Sequence, residues 1–206
     1  MSVLVACEYS GTVRDAFIRR GHYAMSADLL PTEAPGPHYH GDVRDILDEG
    51  WTLVIAHPPC TRLCNSGVSW LRKRDLWGDL AEGIDFFLAM LAAPSPLVAV
   101  ENPRMHGIAK ALIGPSCFKV QPWQFGDDAS KETHFWTRGT LPPLEPIGHV
   151  ASRMAVQPNG RALPRWGNQT DRGQNRLGPS EDRWKKRSKT YQGLADAMAR
   201  QWGMFL

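Results

Sequence analysis

The chain contains no apolar run near the ~20 residues needed to span a bilayer. Its first seven residues are short and apolar, with no basic leader and no small-residue cleavage site, so they are expected to form a first strand and not a signal peptide. Cysteine is scarce. Cys7, Cys60, Cys64 and Cys117 are too few and too scattered for a disulfide scaffold, and reduced thiols in a cytoplasm are the expected state. His57 to Cys64 matches no common zinc spacing and no second cluster follows, so no metal is expected. There is no internal repeat, which excludes a solenoid, and the formal net charge is only +3.

That small charge hides an asymmetry. Residues 138–189 carry eleven Lys/Arg against four Asp/Glu, whereas residues 1–137 carry twelve against sixteen. A basic segment after a mildly acidic body points to a polyanionic partner, or equally to a solvated surface segment. At 206 residues with 42% hydrophobic content, one domain with a small appendage and a sizeable core is expected.

Residues 3–7 and 53–56 are unbroken apolar runs, the pattern of parallel strands buried on both faces. Residues 23–27 read as a strand with Asp28 at its tip, and 97–100 as a strand ending at Glu101-Asn102-Pro103. Gly41-Asp42-Val43 reads as the end of a third short strand or a turn, with a helical turn over 44–47. Strands are also expected at 118–121 and 133–137. Helices are expected over 12–20 (Val13, Phe17, Ile18), at 108–113 and near the C-terminus (Leu194, Met198, Trp202). A further helix carries Leu80, Ile84, Phe87, Leu88 and Leu91 on one face and is broken by Pro94 and Pro96. Residues 61–76 read as a polar, basic loop.

Strands alternating with helices imply an α/β fold, a mostly parallel sheet with helices on both faces. Ligands bind such sheets beyond the carboxyl ends of the strands. Glu8, Asp28, Asp42, Cys60 and Glu101 all fall at those ends, which points to a single site. From 140 to 187 the pattern dissolves among Pro142, Pro143, Pro146, Pro158, Pro164 and Pro179, leaving a small irregular basic segment. The expected organisation is a catalytic and cofactor-binding core over 1–139, that segment over 140–187, and a helix returning to the core over 188–206.

Pro58-Pro59-Cys60 stiffens the approach to a thiol at a strand edge, where a cysteine acts as a nucleophile if its thiolate is stabilised. Most cysteines are instead inert buried hydrophobes. Adjacent strand ends lie about 5 Å apart, so Cys60 and Glu101 are able to share one pocket. His57 either tunes Cys60 by hydrogen bonding or caps the strand. Trp123, Phe125 and Trp136 read as packing residues more than as base-stacking ones.

Cys60 after the fourth strand and Glu101-Asn102 after the fifth make the chain resemble a small, phage-type member of the cytosine-C5 DNA methyltransferases. Gly67 follows the cysteine by the seven residues of that family's catalytic loop. Asp28 matches the acid that holds the cofactor ribose, and Gly41-Asp42-Val43 the segment that contacts adenine. Ser188-Lys189-Thr190-Tyr191-Gln192-Gly193-Leu194 is similar to the last motif. The family's Gly-rich first loop is reduced to Cys7-Glu8-Tyr9-Ser10-Gly11-Thr12, and its Gln and Ser after the nucleophile are Thr61 and Cys64. Lys131 and Thr133 are the nearest equivalents of its Arg-x-Arg pair.

The resemblance implies a Rossmann-like S-adenosylmethionine-dependent methyltransferase fold with a target-recognition segment. It implies methylation of carbon 5 of a flipped cytosine through a covalent Cys60 adduct. Cys60, Glu101 and Lys131 would be catalytic. Glu8, Tyr9, Gly11, Asp28, Asp42 and Pro58 would hold S-adenosylmethionine, and Asn102, Arg62 and Thr133 would hold substrate. The implied partner is DNA, double-stranded, read over about two to four base pairs. The implied protein is a monomer in the cytoplasm of a bacterial host, independent of membranes, marking DNA in a restriction-modification setting. The alternatives are a cytosine methyltransferase acting on RNA or free deoxycytidylate, and a catalytically silent nucleic-acid binder.

Overall fold

The computed structural model describes residues 1–206 except for the side chains at Ser66 and Gly67, so the catalytic-loop match at Gly67 lies outside the described residues. Seven strands form one sheet: β1 (Ser2–Ala6), β2 (Tyr23–Asp28), β3 (His38–His40), β4 (Leu53–Ala56), β5 (Leu97–Pro103), β6 (Phe118–Val120) and β7 (Thr133–Arg138). Their order is β3-β2-β1-β4-β5-β7-β6. The first five run parallel, β7 enters antiparallel to β5, and β6 antiparallel to β7. The chain order reverses between β1 and β4, the switch point at which such sheets open a ligand crevice. This is a mainly parallel, Rossmann-like α/β sheet.

Among the described residues six α-helices accompany it: α1 (Thr12–Ile18), α2 (Asn65–Lys73), α3 (Trp77–Leu91), α4 (Gly107–Ile113), α5 (Arg183–Ser188) and α6 (Gln192–Gln201). Alternate strand residues point to opposite faces. Val3, Val5, Leu53, Ile55 and Ala99 pack against α1 and α6, while Leu4, Ala6, Val54, Val98 and Val100 pack against α3 and α4. Both faces are therefore covered, which is why these strands read as continuous apolar runs. Trp202, fully buried after α6, meets Phe135 edge-on at 5.6 Å and donates its indole N–H to the Pro142 carbonyl at 3.0 Å.

Several elements differ from expectation. Residues 61–76 are not all loop: α2 forms there, anchored by buried Leu63 and Leu71 among polar neighbours that masked its single apolar stripe. The third strand lies at 38–40, ahead of Gly41-Asp42-Val43. Asp42 instead caps a short 3-10 turn over Val43–Asp45, accepting from the Arg44 N–H. Strand β5 continues through Glu101, Asn102 and Pro103 because antiparallel β7 pairs with all three. In α3 the buried face uses Met90, and Leu88 is exposed.

Residues 140–187 contain an antiparallel hairpin, β8 (Arg153–Val156) and β9 (Ala162–Arg165), and the exposed basic helix α5. Leu141 and Leu144 belong to the main core. Trp166 stacks on Trp123 at 5.2 Å and bonds the Val150 carbonyl, fixing the hairpin to the sheet domain. Phe125 and Trp136 are buried packing residues.

Candidate functional site

Strand β4 ends in a stiff exit. The His57 N–H still bonds Ala6 of β1 at 2.9 Å, then Pro58 and Pro59 stop the ladder. At Cys60 the backbone turns, its carbonyl accepting from the N–H groups of Leu63 and Cys64, both at 3.0 Å, and α2 follows. His106 secures this turn by donating its N–H to Leu63 and bonding the Arg62 carbonyl through its ring. The Cys60 thiol is half-buried and hydrogen-bonded to Cys64. That bond, burial, and the negative charge of Glu101 raise its pKa, while Lys131 opposes them. Cys60 rests as a thiol.

Glu101 lies on the neighbouring strand, between β4 and β7. His57 Nδ1 stands 3.3 Å from Glu101 Oε2. Burial pushes the carboxyl pKa up, but the His57 hydrogen bond and the charges of Lys131, His57 and His134 outweigh it, and the net shift is downward. Glu101 rests ionised. Glu101 Oε1, His57 Nε2 and Asn102 Oδ1 are buried without a hydrogen-bond partner. Two of these atoms, on His57 and Glu101, belong to residues that line one cleft, while Asn102, next in the strand, faces the other side of the sheet. A small cleft opens here, with His57, Glu101, Lys131 and Thr133 on one side and Thr190, Tyr191 and Leu194 on the other. Cys60 does not line its wall, yet lies within electrostatic reach of both Glu101 and Lys131.

Of the three candidates for catalysis, Glu101 and Lys131 line one cleft, and Cys60 lies outside its wall. Lys131 is held by its own N–H on the Gln121 side chain at 2.9 Å, and the buried Thr133 donates to the Lys131 carbonyl. Asn102 is fully buried and donates to Pro103. Arg62 is not directed at the cleft: its guanidinium pairs with Asp79 at the start of α3, at 2.9 Å. His57 pairs with Glu101 and neither tunes Cys60 by hydrogen bonding nor merely caps the strand. Tyr191 lines the cleft from the start of α6. Its only sequence signal is its place in the last motif, since tyrosine in a loop is otherwise unremarked.

A second cluster gathers at the ends of β1 and β2 and after β3. Cys7 has a left-handed backbone, φ 58°. Burial and the charges of Asp28 and Asp42 push its thiol up to about 12. Asp28 accepts from the Leu30 N–H, and burial raises its pKa despite that bond. Asp42 is paired with Arg44, which lowers its pKa. Glu8 is buried and caps α1, accepting from Val13 N–H at 2.7 Å and Arg14 N–H at 3.3 Å. Gly11, φ 75°, makes this turn, and a side chain there would run into the Arg14 guanidinium. The Tyr9 hydroxyl donates to the Lys185 carbonyl of α5 at 2.7 Å, and Pro58 is buried.

This end suits S-adenosylmethionine better than a dinucleotide. A pyrophosphate needs the free N–H groups and positive dipole of the first helix. Here the Glu8 carboxylate takes them. A nucleoside without phosphate and with a cationic tail fits the acidic strand ends. Among the described residues no group of three or more His, Cys, Asp or Glu is placed to hold a metal ion.

No protein-family profile matches the chain, and no curated protein matches it by sequence. Solved structures align with it at low identity. One is a protein described as a DNA modification methyltransferase encoded within an Escherichia coli prophage, at TM-score 0.43 and 14% identity, over 66% of this chain and 46% of that one. Another is the Entamoeba histolytica methyltransferase EhMeth, at TM-score 0.47 and 14% identity, over 76% of this chain and 58% of that one. The chain spans about half the length of these structures, 46% and 58%.

Proposed function

We propose that the protein is an S-adenosylmethionine-dependent methyltransferase acting on carbon 5 of cytosine in DNA. One observation carries the reading: the thiol after β4, Cys60, lies within reach of the charges of Glu101, a buried carboxylate on the adjacent parallel strand, and of Lys131, and those two line a cleft with unmet polar atoms.

Carbon 5 of cytosine is a weak nucleophile. Addition of the Cys60 sulfur to carbon 6 makes the ring an enamine, provided that N3 takes a proton as the ring pair moves onto it. Glu101 would pass to N3 the proton that the Cys60 thiol gives up, so that the addition balances, and Lys131 would offset negative charge around the sulfur. Asp28 and Asp42 would hold the cofactor, with Glu8 and Gly11 shaping its turn. When bound, S-adenosylmethionine supplies the methyl group that carbon 5 accepts. Loss of the carbon-5 proton then expels the thiol. A base inside a duplex is out of reach of such a cleft, so the nucleotide must leave the stack. The basic run 138–189, with its exposed α5, supports a polymeric anion over a free nucleotide.

The test is mass spectrometry of nucleosides from duplex DNA incubated with protein and S-adenosylmethionine, with RNA and deoxycytidylate run in parallel. The expected product is 5-methyldeoxycytidine, absent with Cys60→Ala. Transfer to an exocyclic amine, or full activity of Cys60→Ala, would overturn the reading. Trapping on 5-fluorocytosine DNA reads the covalent adduct directly.

A further inference from the structure

Resting on the reading of duplex DNA as substrate, we propose that the β8–β9 hairpin is a ribbon that enters the major groove, where its bare apolar face recognises the carbon-5 methyl groups of thymine. The two faces of the ribbon differ. Alternate residues point to opposite sides, and one side is occupied. Ala155 is buried there, Arg153 pairs with Asp171, and Arg165 and Gln157 both donate to the Asp171 carbonyl. Met154 and Val156 point the other way, 60% and 71% exposed. Their cross-strand partners, Pro164 and Ala162, are exposed too, so four apolar residues share one face. A sheet face left to water is ordinarily polar, and here that polarity is reversed.

Charge decides what covers this face. Residues 150–178 hold five arginines and one aspartate. That aspartate, Asp171, is taken by Arg153, which leaves the exposed Arg161 and Arg172 without an acidic partner in the segment. A second copy would bring one cationic ribbon against another, whereas a polyanion meets the charge. The major groove of DNA is about 12 Å wide and admits a two-stranded ribbon between its phosphate rims. Of the base edges presented there only thymine carries a methyl group, the chemistry that Met154 and Val156 match. RNA offers neither feature, because its major groove is too narrow for side chains and uracil lacks the methyl. The ribbon is rooted beside the cleft: Trp166, directly after β9, stacks on Trp123 at 5.2 Å, and Asn168 reaches both Ser130 and Tyr191. A thymine read by the ribbon therefore lies at a fixed offset from the cytosine in the cleft.

The experiment selects duplexes from a randomised DNA library with the wild-type protein, by binding alone, and sequences them. The expected enriched site carries thymine at fixed positions. Replacing those thymines by uracil deletes only the methyl and should weaken binding about fourfold for each methyl buried. The double variant Met154→Ser, Val156→Ser changes two exposed positions. It should bind the thymine and uracil duplexes equally, with Tm and the salt dependence of binding as in wild type. Arg161→Gln with Arg172→Gln should instead flatten that salt dependence and keep the preference for thymine. A selection without enriched thymine, a wild type indifferent to uracil, or a serine variant that keeps the preference would overturn the proposal. So would a wild-type dimer in sedimentation that Met154→Ser dissolves, since the face then belongs to a second copy. Selection needs no turnover, so the two readings fail separately. Thymine-dependent binding without methyl transfer to cytosine overturns the parent reading alone, and transfer without thymine dependence overturns only the role of the hairpin.

Discussion

Asn168 bonds the backbone of Ser130 twice from 38 residues away, accepting from its N–H at 2.9 Å and donating to its carbonyl at 3.0 Å. The same amide reaches the Tyr191 hydroxyl at 3.3 Å, and the neighbouring Gly167 N–H bonds Asp128 at 2.8 Å. The basic segment is thereby fastened to the loop that carries Lys131 and to the wall of the cleft. Asn168→Ala removes these bonds at about 1 kcal/mol each. Faster limited proteolysis within 150–177, with a modest drop in Tm, is the expected outcome. Unchanged protease resistance would show that the aromatic stack of Trp123 and Trp166 holds the segment alone.

The electrostatics around Cys60 predict its reactivity. Glu101 raises and Lys131 lowers the thiol pKa, so Glu101→Gln should speed its alkylation by iodoacetamide near neutral pH and Lys131→Met should slow it. Exposed Cys117 is best replaced by serine first, and peptide mapping then assigns the label among Cys7, Cys60 and Cys64. Rates that move in the opposite order would contradict the arrangement.

Stability should also follow Glu101. Its folded pKa lies below the unfolded value, so its contribution is present above the ordinary carboxylate value of about 4.3 and is lost as pH falls through the folded pKa. Wild-type Tm should drop more steeply on acidification through that window than Tm of Glu101→Gln. Parallel curves would argue against the shift.

At the proposed cofactor end, two acids have separable expected roles. Asp28→Ala should weaken S-adenosylmethionine binding by calorimetry, by about 1.5–3 kcal/mol if a charge-assisted bond is lost, with Tm little changed. Glu8→Ala should instead lower stability by about 1–2 kcal/mol, since it uncaps α1. Equal affinity of Asp28→Ala would remove Asp28 from the pocket.

Trp202→Ala tests the seam between the returning helix and the sheet. Loss of a fully buried indole, its contact with Phe135 and its bond to Pro142 should cost about 3–5 kcal/mol in denaturant unfolding. Because α6 also supplies Leu194 to the cleft, activity should fall before the fold is lost.

Four of the five parallel strands were legible, because burial on both faces demands unbroken apolar runs, as in 3–7 and 53–56; the edge strand β3, His38-Tyr39-His40, carries no such run. The placement of Asp28 and Cys60 at strand ends followed from the same runs, whereas Glu101 lies inside β5, because pairing with β7 carries that strand on to Pro103. Helix α2 was hidden because its apolar face, with Val68 and Leu71 against the core, sits in a short segment rich in basic and polar residues.

By itself, then, the sequence determined the layering of the protein and the order in which its reactive residues meet the sheet edge, because hydrophobic period and chain breakers are local properties. Only the tertiary structure decided that His57 turns to Glu101 and not to Cys60, that Glu8 closes the first helix, and that Asn168 ties the basic segment to Lys131. Those pairings join residues 44, 5 and 38 positions apart through side-chain directions and shared burial. No local pattern along the chain encodes them.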